Sequence, residues 1–398
     1  MGIELNKAQK HVVKEAIKWY NHSDSRLFQF TGEAGTGKSV VLRSIVDELG
    51  LAQEEVAPMA YIGAAAIVMR RKGFPNAKTI HSWIYNFSKY PEKDENGNVV
   101  YDEYYNRPKM KFMMRPKYLR GIKLIIIDEA GTVPAKLARE IESRRIKVIA
   151  TGDLNQLPPP FSSPYFLTSG TMYRLDEVMR QAEESPIIFL AHRAIQGKNL
   201  ELGTYGNTMV INKDDLTEDM LKNAEIVLAG YNNTRDRLNR YYREMKGIDP
   251  SDILPKYGEP LICRKNHWAK EVDGISLANG LIGDVLSHPD VSGVRKGTFS
   301  VDFLPRMGNK AFLDLKVDLD YFKASTEQKK SMNSMYGSGE RFEFAYSITT
   351  HISQGSQFNN GIYVEEAFPM KVQRQLNYTG ITRFSDSMIY VKRSKKYY

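Results

Sequence analysis

Gly32-Glu33-Ala34-Gly35-Thr36-Gly37-Lys38-Ser39 decides how this chain is read. An apolar, strand-like run at 27–31 leads straight into it, and Val40-Val41-Leu42 opens a helical pattern behind it. The glycines let the backbone bend with its N–H groups turned inward around an anion. A helix starting near Lys38 adds its positive dipole end at the same place. Lys38 then reaches the β- and γ-phosphates of a nucleoside triphosphate, and Ser39 offers its hydroxyl to magnesium. A glycine-rich turn before an ordinary helix is the alternative. Strand, glycines, Lys-Ser and helix in this order favour the phosphate cradle.

Working outward, residues 6–20 read as an amphipathic helix with Val12, Val13, Ala16, Ile17 and Tyr20 on one side. A second helix at 39–49 is closed by Gly50, and 56–62 is a short strand. Leu124-Ile125-Ile126-Ile127 is a buried strand that ends in Asp128-Glu129, and the strand at 147–151 ends in Gly152-Asp153. Apolar strands alternating with helices imply an α/β fold, a mostly parallel sheet covered on both faces. Ligands then gather at the carboxyl ends of the strands, where these acids fall. Asp128 is placed to hold magnesium through water, and Glu129 to orient and deprotonate the attacking water. Gln156, on the proline-stiffened loop Asp153-Leu154-Asn155-Gln156-Leu157-Pro158-Pro159, is placed to sense the γ-phosphate.

The pattern breaks between about 87 and 115, where Asn96-Gly97 predicts a β-hairpin turn crowded by Tyr85, Phe87, Tyr90, Tyr101, Tyr104 and Tyr105. An α/β stretch with a strand at 226–229 begins near Leu175. Residues 256–341 hold short β-like runs and the turn-rich Asn279-Gly280-Leu281-Ile282-Gly283-Asp284-Val285, which reads as a small β insertion. The expected division is a first lobe at 1–84 and 116–174 with a hairpin at 85–115. A second lobe follows at 175–255 and 342–398, with the β insertion at 256–341.

The 398 residues suffice for several domains, and 42% hydrophobic with 26% charged residues is a globular composition. Lys and Arg number 56 against 47 acids, a net charge of +9 that favours a polyanionic partner. Cys263 is the sole cysteine, which excludes an internal disulfide or a cysteine zinc cluster and fits a reducing cytosol. No apolar run reaches a membrane-spanning length, and no signal-peptide pattern opens the chain. The cytoplasm is the expected compartment.

The ordered set of motifs resembles a superfamily 1 helicase of the B-type branch that includes RecD-like and Dda-like enzymes. The resemblance implies two RecA-like lobes with ATP and Mg2+ between them, and single-stranded DNA or a DNA fork as partner. Gln9 in Asn6-Lys7-Ala8-Gln9 resembles the glutamine that reads the adenine edge, and Gly32 through Ser39 the nucleotide cradle. Val178-Met179-Arg180-Gln181 resembles the motif whose arginine reaches the γ-phosphate, and Asn377-Tyr378-Thr379-Gly380-Ile381-Thr382-Arg383-Phe384 the one whose arginine completes the site. Arg180 and Arg383 would stabilise charge on the transferring phosphoryl group, with Gly355 also near the nucleotide. Strand contacts are implied for Ile62, Gly63, Thr79, His81, Trp83, Asn233, His351, Ser353 and Gln354. Ala64 and Ile352 stand where relatives often carry lysine, which leaves phosphate contacts to amides and hydroxyls.

In this reading the hairpin is a pin that splits duplex, and the β insertion resembles an SH3-like module. The family implies 5′-to-3′ translocation. A monomer, a phage or bacterial accessory role in replication, repair or recombination, and a single-strand-binding or replication protein as partner complete the expectation. A P-loop phosphotransferase, a nucleotide-gated nucleic-acid clamp and an RNA track stay open as alternatives.

Overall fold

The computed structural model describes residues 4–101, 108, 110–158, 164–168, 170–177, 184–294, 297–332 and 339–393. The first lobe runs α1 (Lys7–His22), β1 (Leu27–Gly32), α2 (Lys38–Glu48), β2 (Val56–Ala60), α3 (Gly63–Arg71), β3 (Lys78–Thr79) and α4 (Ile80–Ile84). After an arm made of β4 (Tyr85–Pro91) and β5 (Met110–Pro116), it resumes with β6 (Leu124–Ile127), α5 (Ala135–Glu142), β7 (Lys147–Gly152) and β8 (Met172–Leu175). The sheet order β3-β2-β6-β7-β1-β8 is parallel throughout. All four residues of β6 are buried, as expected of a strand covered on both faces. One face packs Val12, Phe30, Val41, Leu42 and Ile45; the other packs Met59, Ile127, Ala138 and Phe166.

Asn6 caps α1 reciprocally: its Oδ1 accepts from Gln9 N at 2.8 Å, and Gln9 Oε1 accepts from Asn6 N at 3.0 Å. That box explains why the helix starts at Lys7, and the pattern that predicted an end near residue 20 continues to His22.

The second lobe runs α6 (Pro186–Ile195), β9 (Gly203–Tyr205), β10 (Thr208–Asn212), α7 (Glu218–Asn223), β11 (Val227–Ala229) and α8 (Asn232–Met245).

The insertion follows as an antiparallel sheet of β12 (Pro260–Cys263), β15 (Ile282–Val285), β16 (Thr298–Pro305), β17 (Phe312–Asp318) and β18 (Phe342–Phe344), in the order β17-β16-β15-β12-β18. It also carries the hairpin β13 (His267–Val272) and β14 (Ile275–Leu277), and the short helices α9 (Leu319–Lys323) and α10 (Thr326–Ser331). Phe299, Phe303, Phe312 and Phe342 fill its core. The expected return of the α/β pattern at Phe342 is late by three residues, because Leu261, Ile262 and Cys263 pair with Phe344, Glu343 and Phe342.

After the insertion the second lobe adds β19 (Ser347–Thr349), β20 (Phe358–Val364), α11 (Met370–Ile381) and β21 (Phe384–Lys392). Its sheet order is β19-β11-β20-β21-β10-β9, in which β9 alone pairs antiparallel.

In the arm, the ladder pairs Tyr85 with Pro116 through Pro91 with Met110. Asn96-Gly97 does turn the chain, with Gly97 at φ +85°, yet it turns only a small loop closed by Asp94 and Asn98. Asp94 Oδ1 accepts from the N–H groups of Asn96 and Asn98, a side-chain turn that replaces a long ladder there. Tyr104 and Tyr105 lie outside the described residues.

Candidate active site

The phosphate loop follows β1 and ends where α2 begins. Gly35 and Gly37 take φ of +84° and +81°, which an L side chain rarely adopts. A methyl on Gly32 would stand 2.3 Å from Thr36 Oγ1. Lys38 Nζ donates to Gly32 O at 2.7 Å and Glu33 O at 3.1 Å, so the ammonium lies folded over the loop. Ser39 stands next to it on the first turn of α2. Gln9 is buried beneath the loop and donates Nε2 to Thr36 O at 3.0 Å. Both ends of its amide are therefore engaged, one in the α1 cap and one on the cradle.

Asp128 and Glu129 leave the end of β6 beside this loop. Burial, and then the charge on Glu129, push the Asp128 carboxyl above the usual carboxylate range, and Lys72 and Lys38 oppose them. Glu129 N donates to Asp128 Oδ1 at 2.9 Å, and the Glu129 backbone sits at φ +51°, an unusual region for a non-glycine residue. Asp153 ends β7; burial raises its pKa, opposed by Lys38 and by the Tyr378 hydroxyl. Asp128 and the Ser39 hydroxyl are oxygen donors of the kind magnesium takes, with one carboxylate and the rest of its shell left to water and phosphate. Lys72 and Lys38 do not fully offset the burial of Asp128, so this carboxylate fits such an ion. No cluster of three or more acidic, histidine or cysteine ligands that could hold a metal ion occurs among the described residues.

The second lobe closes on these loops through α11. Tyr378 is fully buried; its hydroxyl accepts from Ala34 N at 2.8 Å and donates to Asp153 Oδ2 at 2.5 Å. Thr379 Oγ1 accepts from Leu157 N at 3.0 Å, and Gln354 Nε2 donates to Leu157 O at 2.6 Å. Gln375 Nε2 donates to Gln156 O at 3.4 Å, while Gln156 itself is half-buried. Gly355, at φ +74°, lets the 353–356 turn meet α3: a methyl there would stand 2.9 Å from Ala65 Cβ.

Glu33 is a second crossing point. His192 Nε2 of α6 lies 3.0 Å from its carboxylate, Asn155 Nδ2 donates to it at 2.9 Å, and Arg174 lies at 3.7 Å. Contact with His192 first, then Asn155 and Arg174, hold Glu33 below the usual range against its burial. A cavity of about 400 Å³ opens there between Thr36 and His192.

Arg383 is buried and donates to Thr379 O at 3.1 Å, Ser356 O at 3.3 Å and Thr382 Oγ1 at 3.3 Å, all in its own lobe. It sits one turn behind the Thr379 crossing. Arg180 lies outside the described residues.

The residues expected at the strand divide into two groups. Ile62 and Gly63 open α3 against the insertion. A methyl on Gly63 would stand 3.3 Å from Ala278 Cβ, and one on Gly280 would stand 3.6 Å from Ile62 Cγ2. Thr79 caps α4, accepting from Ser82 N at 3.2 Å. His81 lies between the rings of Tyr61 and Tyr85, its pKa held down by burial, and Asn233 is exposed on the first turn of α8. His351 is half-buried and likewise held down by burial. Trp83, by contrast, donates Nε1 to Pro58 O at 2.9 Å and braces the sheet. Ser353 and Gln354 are buried, the former donating to Thr350 O at 2.8 Å and the latter spanning to Leu157. Gln354 bridges the lobes, and neither residue lies on an open surface.

Sequence reasoning passed over Tyr378, Thr379, Asn155, Arg174 and His192. Tyr378 and Asn155 lie inside segments that drew notice for other residues; nothing in the sequence pattern marks His192.

Two lobes with mostly parallel sheets, meeting over a phosphate loop, an acid pair and the loop that follows β7, define a P-loop nucleotide-binding protein with two RecA-like domains. Residues 4–214 match the AAA domain family. The chain belongs to that family, and it resembles helicases of the RecD2 and Pif1 kind. It is 25% identical to the ATP-dependent RecD2 DNA helicase of Deinococcus radiodurans over 91% of this chain and 46% of that protein. It is 30% identical to the ATP-dependent DNA helicase RRM3 of Saccharomyces cerevisiae over 39% of this chain and 21% of that one. The fold matches the crystal structure of Pif1 helicase from Bacteroides in complex with ADP-AlF3 and ssDNA, with a TM-score of 0.53 and 16% identity over 98% of this chain and 92% of that chain. The chain spans less than half the length of the curated relatives it matches. Among the described residues no helix is long and apolar enough to cross a membrane.

Proposed function

We propose that this chain is an ATP-driven DNA helicase that moves along single-stranded DNA and separates duplex at a fork. The observation that carries the reading is the closure of the second lobe over the first: Tyr378, Thr379 and Gln354 bond to Ala34, Asp153 and Leu157. A nucleotide held there touches both lobes, so its turnover changes how they sit. Only unequal affinities for ATP, products and strand can drive such a cycle.

In this proposal Gly32 through Ser39 hold the phosphates, and Gln9 supports the cradle from beneath. Lys38 neutralises the transferring group, Glu129 orients and deprotonates water, and Gln156 senses the γ-phosphate. Arg180 and Arg383 complete the charge from the second lobe; for Arg383 this requires exchanging carbonyl partners for phosphate. Ser39 and Asp128 would hold Mg2+, which supplies charge neutralisation when bound. Ile62, Gly63, Thr79, His81, Asn233 and His351 form the strand track, with Ser353 and Gln354 behind it. Aromatic rings stack on bases and amides meet phosphates.

The working division is a first lobe of 1–84 and 116–174, a pin at 85–115, a second lobe of 175–255 and 345–398, and an SH3-like insertion at 256–344. A cytoplasmic monomer, working with a single-strand-binding or replication protein in replication, repair or recombination, fits this reading.

Fork unwinding tests it. Duplexes with 5′ tails should separate on ATP addition, those with 3′ tails much less, and RNA tails report on the choice of track. ATP hydrolysis with no strand separation on either tail would overturn it.

A further inference from the structure

Tyr378 spends its one hydroxyl on two catalytic loops at once. The oxygen takes the Ala34 amide of the phosphate cradle, and the proton goes to Asp153 at the head of the sensor loop. The neighbouring peptide is clamped from both sides by the same lobe, Leu157 N on Thr379 and Leu157 O on Gln354. Gln354 lies three residues from His351, on the turn that also carries Ser353. A continuous set of bonds thus runs from the proposed strand track to the groups that surround the phosphates.

The ring is also fixed in place. Tyr378 packs in the second lobe's core with Tyr363 and Ile381, and next to it Asn377 accepts from Tyr363 Oη at 2.9 Å and Gln373 Nε2 at 2.8 Å. The hydroxyl moves only if the lobe moves. Asp153 in turn faces Lys38 and Glu129, the residues proposed to handle charge and water.

We propose that Tyr378 is a positioning residue: its hydroxyl sets the cradle and the sensor loop against the second lobe, and so couples strand binding to the rate of ATP hydrolysis. This rests on the helicase reading above. The coupling is a free energy shared between two sites, and a bond made by one lobe to the loops of the other carries it. A hydrogen bond to a charged carboxylate is strong enough to matter on this scale.

The test compares wild type with Y378F, which keeps the ring and removes only the hydroxyl, with D153N, and with the double variant. ATP turnover is measured with and without saturating oligothymidylate, and kcat is separated from KM. Y378F should lower the DNA-saturated kcat about tenfold while KM for ATP moves less than about threefold, and the stimulation ratio should collapse. D153N, which alters the same bond from its other end, should act in the same direction. The double variant should lose less than the product of the two single losses, because the Tyr378–Asp153 bond is disturbed in both. A wild-type stimulation ratio in Y378F, or losses that multiply in the double variant, would overturn the proposal; D153N alone carries the test if Y378F does not fold. Wild type that oligothymidylate fails to stimulate would instead count against the helicase reading itself.

Discussion

Glu129 is held at φ +51° at the point where the acid pair meets the phosphate loop. Such a backbone costs on the order of 1–3 kcal/mol in a non-glycine residue, and the surrounding bonds must keep it there. Thr132 N and Oγ1 both donate to the Glu129 carbonyl, at 3.0 and 2.8 Å, which fixes the turn. In the proposed mechanism the side chain is what the site needs, and glycine would suit the backbone better. E129Q is therefore expected to cut ATP turnover at least about a hundredfold while retaining nucleotide binding, read as phosphate release and as fluorescent-nucleotide affinity. Turnover near wild type would remove Glu129 from its role. His81 and His351 set a pH limit of another kind. Burial lowers both pKa values, so between those values and about 6.5 the unfolded chain binds more protons than the fold. Their contribution to stability is complete above about pH 6.5 and is lost as pH falls below it. Thermal melts taken from neutral to mildly acidic pH should show Tm dropping, and a variant carrying both H81N and H351N should drop less. Equal slopes would contradict this.

At the scale of elements, α3 is the meeting point of three parts of the chain. Its start faces Ala278 and Gly280 of the insertion, its Ala65 meets Gly355 of the second lobe, and its Ile67 joins the insertion's core. Arg70 then ties its end to the β13–β14 turn, donating to Asp273 O at 3.3 Å and Gly274 O at 2.5 Å, and to Ala77 O of its own lobe at 2.8 Å. R70M keeps most of the stem packing and removes these charged donors. A loss of about 1–3 kcal/mol is expected, seen as a lower denaturant midpoint with an unchanged slope. An unchanged midpoint would mean that these bonds add nothing to the hold between α3 and the insertion. The sequence pattern carried the strands at 124–127 and 147–151 and the helix after the cradle because buried parallel strands are nearly continuous apolar runs. It could not carry the end of the insertion at Phe344. Phe342-Glu343-Phe344 has the same alternation in either sheet, and only pairing with Leu261, Ile262 and Cys263 decides.

Over the whole molecule, much of the candidate nucleotide site was legible because phosphate chemistry imposes local order: glycines, Lys-Ser and a helix must be contiguous, and acids must follow strands. Lys38, Asp128, Glu129 and Asp153 all arrive at one sheet edge. Residues whose work depends on the second lobe were legible only as segments. The 377–384 stretch drew attention through Arg383, yet Tyr378 makes the crossing and Arg383 bonds within its own lobe. Likewise Gln354 was expected on the strand and reaches across to Leu157 of the first lobe, and Ser353 is buried beside it, since a sequence does not say which face of a turn meets a neighbour 197 residues away. Both cases follow from tertiary contact, which periodicity and spacing do not encode. In the proposed helicase one crevice is shared by two lobes, and a strand bound across them affects what happens to ATP. ATP turnover by the intact chain, measured with and without saturating single-stranded DNA, tests that most directly: stimulation of severalfold or more is predicted, and an unchanged rate would contradict it.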